Sequence, residues 1–562
     1  SSLFLFCVQA SVIAHLPLRS THAIHSIMLG RLGARRRLAR FSVVNVEGLA
    51  MTTTSAHIDT LGFGPYQYLL IVACGLAGAA ESMELGASAA LTAALGHAFT
   101  LSQNERAQLV AVTYFGEGIG TLAAGLLCDI LGRKGILLGA SVVSALSLPA
   151  VVAMPVWCGF KALLALRFFS GAAVGVMVVA TTVLAIESCS AASRNTVMFS
   201  IQFITYVGYL MCAICLSMYM PGFGEDPSDS WRSFCLVMSV PFVVGLLLVA
   251  LLAESPLSLA VRGDGVGCAK SLAYIAKLNG LPAPSGANRV LDRKAVAVED
   301  SFMSKVGLGF NKVCIEVQMF PKLLALLTAI DSCRTFFTAG IVYASKDIFI
   351  AVSSPTMSAA KLNIIASFAP FVGILCASLI LPLGIRSITL GSGVLGGACA
   401  WAIASPLVQR NPGMVLLLVL IAKLTFSPML TCVKLMKAEA FPTEVRGSML
   451  AVMHFLAKFA CMLAPTLEEL LRGSGKNAWQ DGGLNAYLHG LGVAAFVSGL
   501  LAAAVPRSAD SSSLTDFVSS PAEQDAEAST GAGSLGSDDQ EEFDIWGQAG
   551  KRRSTTYGTA LT

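Results

Sequence analysis

Charged residues are scarce in this chain: 13% of its 562 residues are Asp, Glu, Lys or Arg, while 55% are hydrophobic. A water-soluble protein of this size needs far more charge on its surface, so the deficit excludes an ordinary soluble enzyme and points to a chain that sits in lipid. A mean hydropathy of +0.71 agrees. Other absences narrow the field further. No G-x-x-x-x-G-K-[ST] segment occurs, which removes the phosphate-cradling loop of ATP-driven pumps. There is no H-x-x-x-H pair. The one C-x-x-C, Cys212 with Cys215, lies in an apolar run without the second pair a structural zinc needs. The fifteen cysteines fall mostly in apolar runs and read as packing residues. No catalytic nucleophile or cofactor loop stands out, so neither an enzyme activity nor a cofactor is expected. No N-x-[ST] sequon marks an external loop. The net charge of +4 comes from basic loops and implies no nucleic-acid partner.

What the chain does have is long apolar runs. Phe234–Ala253 holds 20 residues without a charge, about the length that crosses a bilayer at about 1.5 Å per residue. Twelve such stretches centre near Leu76, Leu122, Val143, Met177, Tyr209 and Val244, then Thr335, Phe371, Leu395, Val419, Met453 and Val493. Lipid offers backbone amides no partner, so these runs must be helices. The expected fold is an all-α membrane protein of twelve transmembrane helices in two pseudo-symmetric six-helix halves, residues 58–253 and 322–506. A basic loop, 254–321, joins them. Residues 1–57 form an N-terminal extension; its arginines and the late Met51 fit a transit peptide or a reading frame opened upstream of the initiator. Residues 507–562, rich in Ser, Asp, Glu and Gly, read as a disordered tail.

Bases cluster on one set of connections, at Arg133, Lys134, Arg194, Arg386, Lys434, Lys437 and Arg446, and in the central loop. The other set carries scattered bases, Lys346 among them, and the acidic loop 224–229. That bias puts both termini and the central loop in the cytoplasm, with the chain multi-pass in a plasma, vesicle or organelle membrane.

The same punctuation closes two apolar runs. Glu187-Ser-Cys-Ser-Ala-Ala-Ser-Arg194 and Glu439-Ala-Phe-Pro-Thr-Glu-Val-Arg446 stand 252 positions apart, each an acid seven residues before a base. Matched features in two halves indicate duplication, which in secondary transporters places one site between two moving halves.

Gly125-Leu-Leu-Cys-Asp129-Ile-Leu-Gly132-Arg133-Lys134, between the second and third spans, resembles the loop motif of the major facilitator superfamily. Its second-half copy is eroded: Gly373, Gly384 and Arg386 remain, with Leu381 in place of the acid. The paired acid-to-base segments resemble that superfamily's second hallmark; Pro442 keeps the usual proline, which Ser190 replaces in the first half. Glu254-Ser255-Pro256, and Gly62-Phe-Gly ahead of Glu81-Ser-Met-Glu84, resemble the branch holding sugar porters, organic ion transporters and synaptic-vesicle-type transporters. The resemblance implies alternating access. It also implies a conformational latch of Gly125, Asp129, Gly132, Arg133, Lys134, Glu187, Arg194, Glu439, Pro442 and Arg446.

Charges inside spans cost about 2.5–3.5 kcal/mol each on insertion scales, so each is a functional candidate. They are Glu81, Glu84, Glu117, Arg167, Asp331, Arg334, Lys423, His454 and Lys458. Asp331 and Arg334, three apart on one helix, can neutralise each other. In proton-coupled sugar porters a first-span carboxylate faces a fourth-span arginine, so the resemblance assigns proton coupling to Glu81 and Arg167. Lys458 lies twelve residues after Arg446, where related carriers sort by charge and anion carriers have a base. Substrate contact is therefore assigned to Glu84, Arg334, Lys423, His454 and Lys458. The expected partners are a small organic solute, an anion first, a proton and the lipid bilayer, with the protein acting as a monomer. A sugar or polyol porter is the second reading, and a non-transporting receptor or vesicle component the third.

Overall fold

The computed structural model describes residues 54–283, 317–318, 321–441, 443–471 and 483–505, apart from 225, 227, 228, 355, 356, 381 and 382. The chain divides into two compact units, Ser1–Val505 and Pro506–Thr562, and the second lies outside the described residues. So do residues 1–53 and most of the central loop, with the expectations placed on them.

Twelve long helices follow in order. The first six are α1 (Pro65–Ala98), α2 (Gln103–Leu131), α3 (Arg133–Ala153), α4 (Gly159–Glu187), α5 (Arg194–Tyr219) and α6 (Trp231–Leu251). The second six are α7 (Pro321–Val352), α8 (Ala359–Leu379), α9 (Ile385–Ile403), α10 (Pro412–Lys437), α11 (Thr443–Leu471) and α12 (Gly483–Ala504). Among the described residues, 11 of these are long and apolar enough to cross a membrane. The exception is α9, whose composition is diluted by Arg386 and by glycines at 391, 393, 396 and 397. Two shorter helices, Pro256–Val261 and Gly265–Leu278, follow α6.

Local chemistry sets the helix starts. The Ser102 hydroxyl accepts from the Glu105 amide at 3.4 Å while the Glu105 carboxylate accepts from the Ser102 amide at 2.8 Å, a reciprocal cap for α2. Pro412 opens α10 behind Asn411, whose side chain accepts from the Gly413 amide at 3.1 Å. Large apolar side chains such as Leu146, Leu247, Leu379 and Leu500 face outward, as a lipid-facing belt requires.

The duplication is visible in the backbone. Gly132 before α3 has φ +96° and Gly384 before α9 has φ +88°, and these positions are again 252 apart. Both turns need the conformation that L side chains avoid. Close packing repeats as well: a Cβ on Gly120 would meet the Ala172 carbonyl oxygen at 2.0 Å, and one on Gly373 the Leu424 oxygen at 2.1 Å. The α2–α4 contact of the first half thus recurs as α8–α10 in the second, through small residues that let backbones touch.

Three bases are not where the loop reading placed them. Lys434 and Lys437 lie inside α10, and Lys346 lies inside α7. Lys437 is fully buried. Hydropathy dips at these bases, yet the helices run on, and in α10 Asp331 offsets Lys437 and Glu81 offsets Lys434.

Candidate functional site

A cavity lies between the halves. From the first half, α1 brings Glu81, α2 brings Tyr114 and Glu117, and α5 brings Gln202, Tyr206 and Tyr209. From the second half come Arg334, Thr335 and Thr338 of α7, Phe426 of α10 and Lys458 of α11. Gln202 Nε2 is buried with no hydrogen-bond partner among the described residues, so the cavity wall holds an unspent donor.

Ion pairs cross the cavity from one half to the other. Lys458 Nζ lies 2.8 Å from Glu81 Oε1 and also contacts Glu117 Oε1. Lys434 Nζ lies 3.9 Å from Glu81 Oε2 and 3.4 Å from Gln202 Oε1. Lys423, fully buried, donates to the Tyr209 hydroxyl at 3.4 Å and sits 5.2 Å from the Phe349 ring centre. A cation over an aromatic face is stabilised without a carboxylate.

The expected facing of Glu81 and Arg167 is not the one formed. Arg167 pairs with Glu84, one helical turn further along α1. Residues three apart share a helix face, and Lys458 and Lys434 draw Glu81 toward the second half. Asp331 centres another cluster: Lys437 Nζ at 2.5 Å, Arg334 Nη2 at 2.7 Å and His454 Nδ1 at 3.5 Å. Of the residues assigned to substrate, Arg334 and Lys458 line the cavity. Glu84, Lys423 and His454 do not: Glu84 is held by Arg167, Lys423 sits behind Tyr209, and His454 lies in the Asp331 cluster. Sequence reasoning passed over Gln202 and Tyr206, yet they stand 252 residues before His454 and Lys458. The duplication offset was the signal that could have found them.

At the α2–α3 turn the three motifs meet. Arg133 Nε lies 3.2 Å from Glu187 Oε2, and the Ser255 hydroxyl donates to the same oxygen at 2.5 Å. The amides of Arg133 and Lys134 donate to Glu254 Oε1 at 2.8 Å and 3.1 Å, placing an anion on the positive end of α3. Arg194 donates to the Ile186 carbonyl at 3.3 Å, while Glu187, the acid of its motif, is held by Arg133. Between them Cys189 is buried, which pushes its thiol up to about 12 and leaves it inert. Gly125 faces α11, where an added Cβ would lie 2.4 Å from that of Ala451. Pro442 lies outside the described residues, as do the side chains of Asp129, Glu439 and Arg446.

Comparison with known proteins places this arrangement. The sequence profile described as "Sugar (and other) transporter" matches residues 75–508. Organic cation/carnitine transporter 7 of Arabidopsis thaliana is 24% identical over 458 residues, covering 75% of this chain and 88% of that protein. The 4-hydroxybenzoate transporter PcaK of Pseudomonas putida is 27% identical over 274 residues, 47% of this chain and 58% of that protein. The xylose transporter XylE from E. coli, partially occluded and inward-open, superposes with a TM-score of 0.59 at 17% identity, over 79% of this chain and 100% of its own. The human organic anion transporter MFSD10 gives 0.52 at 13% identity, over 78% and 99%. The likeness to these structures shows the shared fold. A duplicated twelve-helix bundle around a central polar cavity, matched by this profile over most of its length, belongs to the sugar (and other) transporter family of the major facilitator superfamily, and is a multi-pass membrane transporter rather than an enzyme.

Proposed function

We propose that the protein is a secondary active transporter that moves a small organic anion together with a proton by alternating access. The observation that carries this reading is the uneven charge around the cavity. In and behind its wall stand the bases Arg167, Arg334, Lys423, Lys434, Lys437 and Lys458 and the acids Glu81, Glu84, Glu117 and Asp331, of which Glu81, Glu117, Arg334 and Lys458 reach the lining. An excess of cations in a partly dehydrated cavity attracts an anion: at about 4 Å and an effective dielectric near 20, a charge pair is worth about 4 kcal/mol. Lys458 and Arg334 are the bases that reach the lining, and Gln202 supplies a neutral donor beside them.

The cycle follows from the contacts. An entering carboxylate meets Lys458, whose bridges to Glu81 and Glu117 tie the two halves, and loosens them. The halves then rock about the cavity while the Arg133–Glu187–Ser255 network opens or closes at the α2–α3 end, which faces the cytoplasm. PcaK, a 4-hydroxybenzoate transporter, supplies a ligand class to try first.

The test is uptake by proteoliposomes holding the purified protein. A carboxylate such as 4-hydroxybenzoate should accumulate when the outside is acid, and a protonophore should abolish accumulation. A neutral sugar or polyol is the second reading, favoured by the Thr335, Thr338, Tyr206 and Gln202 side chains on the lining. Preference for xylose over every carboxylate would select it. Absence of flux for any solute would leave a non-transporting receptor.

A further inference from the structure

We infer that Glu117 is the proton carrier of this cavity, and that it takes up its proton when an anionic substrate claims Lys458. The inference rests on the transport reading above and names its coupling residue.

The four acids Glu81, Glu84, Glu117 and Asp331 differ in how their charge is held. Glu84 has Arg167 to itself among the described residues. Asp331 has both Lys437 and Arg334. Glu81 has Lys458 and, at 3.9 Å, Lys434. Glu117 alone depends on a base it must share, Lys458, and that base lines the cavity where substrate arrives. Lys458 is the base against which Glu117 Oε1 is set, and that oxygen has no other partner among the described residues.

No other helix packed on α2 can take over. At the level of Glu117, α4 presents Gly171 and Gly175, where an added Cβ would meet the Glu117 backbone; of its two bases, Arg167 is held by Glu84 and Lys161 is exposed at the start of the helix. From α1 come Glu81 and Glu84, both acids. From α11 come Lys458 and Cys461, while His454 is turned to Asp331. Tyr114, on α2 itself, adds a neutral hydroxyl. On α3 the only charges are Arg133 and Lys134, at the α2–α3 turn.

A carboxylate that is 2% exposed and stripped of its one counter-charge is strongly disfavoured as an anion. The balance is simple. The Glu117 carboxylate paired with the Lys458 ammonium, plus a proton and a substrate anion, becomes a neutral Glu117 acid beside Lys458 paired with the substrate. One O–H bond forms, and the cavity's net charge does not change. Substrate and proton therefore load together, each raising the affinity for the other.

The experiment uses full-length wild-type protein and Glu117→Gln, a neutral isostere of the protonated acid, in proteoliposomes with 4-hydroxybenzoate and a panel of other monocarboxylates. In the wild type, an acid exterior should drive accumulation, and affinity should weaken by up to about tenfold per unit rise in pH, the limit for one linked proton. Glu117→Gln should still exchange labelled for unlabelled carboxylate, with an affinity independent of pH, and should lose gradient-driven accumulation. Retained accumulation in Glu117→Gln overturns the assignment while leaving anion transport standing. Failure of the wild type to move any carboxylate overturns both. Should Glu117→Gln fail to fold, calorimetry of the wild type in buffers of different ionisation enthalpy decides: uptake of about one proton per bound anion supports the assignment, and none overturns it.

Discussion

The two halves share a backbone and divide their charges. At the 252-residue offset the turn glycines Gly132 and Gly384 coincide in conformation, and the carbonyls of Ala172 and Leu424 take the same close helix contacts. Outside the paired Glu187 and Glu439, the charges on and behind the cavity wall are not repeated at the same offset: Lys458 falls on Tyr206, Arg334 on Ser82, Lys423 on Gly171 and Glu117 on Ala369. On the cavity lining the first half places the two acids, Glu81 and Glu117, and the second half the two bases, Arg334 and Lys458. The halves repeat their packing, and their charges polarise the space between them. The cross-cavity bridges from Lys458 and Lys434 follow from that polarity.

The sharpest way to break the comparison is Lys458→Ala, which leaves Glu81 and Glu117 facing each other. Carboxylate uptake should vanish and stability should fall by about 3–5 kcal/mol, the cost of stranding buried charge. Thermal unfolding in detergent reads the second effect, and adding Glu117→Gln to Lys458→Ala should restore part of it. Asp331→Asn comes next. It frees Lys437 and Arg334 within one half, and a loss of about 3 kcal/mol is expected on the same unfolding assay. Because the freed Arg334 lines the cavity, anionic competitors should gain on neutral and cationic ones relative to the wild type.

Smaller effects sharpen the shared side of the comparison. Gly120→Ala and Gly373→Ala each force a methyl against a carbonyl, and each should cost about 1–3 kcal/mol. Near-equal losses support an inherited contact, whereas a loss in one half alone would separate the two. Glu254→Gln removes the anion from the start of α3 and should cost about 0.3–1 kcal/mol, read as a small drop in unfolding temperature that high salt diminishes.

Much of this was legible in the sequence. Apolar run lengths gave the helices, because lipid forbids other backbone, and the motif spacings located Arg133, Glu187 and Glu254 before their contacts were visible. Partner choice was not legible. Glu81 and Glu84 lie on one face of α1, and which of them meets Arg167 is decided by Lys458, a residue 377 positions away in sequence from Glu81. Lys434 and Lys437 looked like loop residues because hydropathy counts a charge without seeing the acid that neutralises it. Glu117 was visible as an intramembrane charge, but its dependence on a shared base is a property of three helices together.

The most direct test of the account is competition among three solutes with one ring and different charge: 4-hydroxybenzoate, 4-hydroxybenzyl alcohol and 4-hydroxybenzylamine. Each is measured for inhibition of labelled carboxylate uptake by the wild-type protein. A cavity biased by the bases of the second half should bind the anion at least about tenfold more tightly than the other two, a difference of about 1.4 kcal/mol. Equal or stronger inhibition by the amine would contradict it.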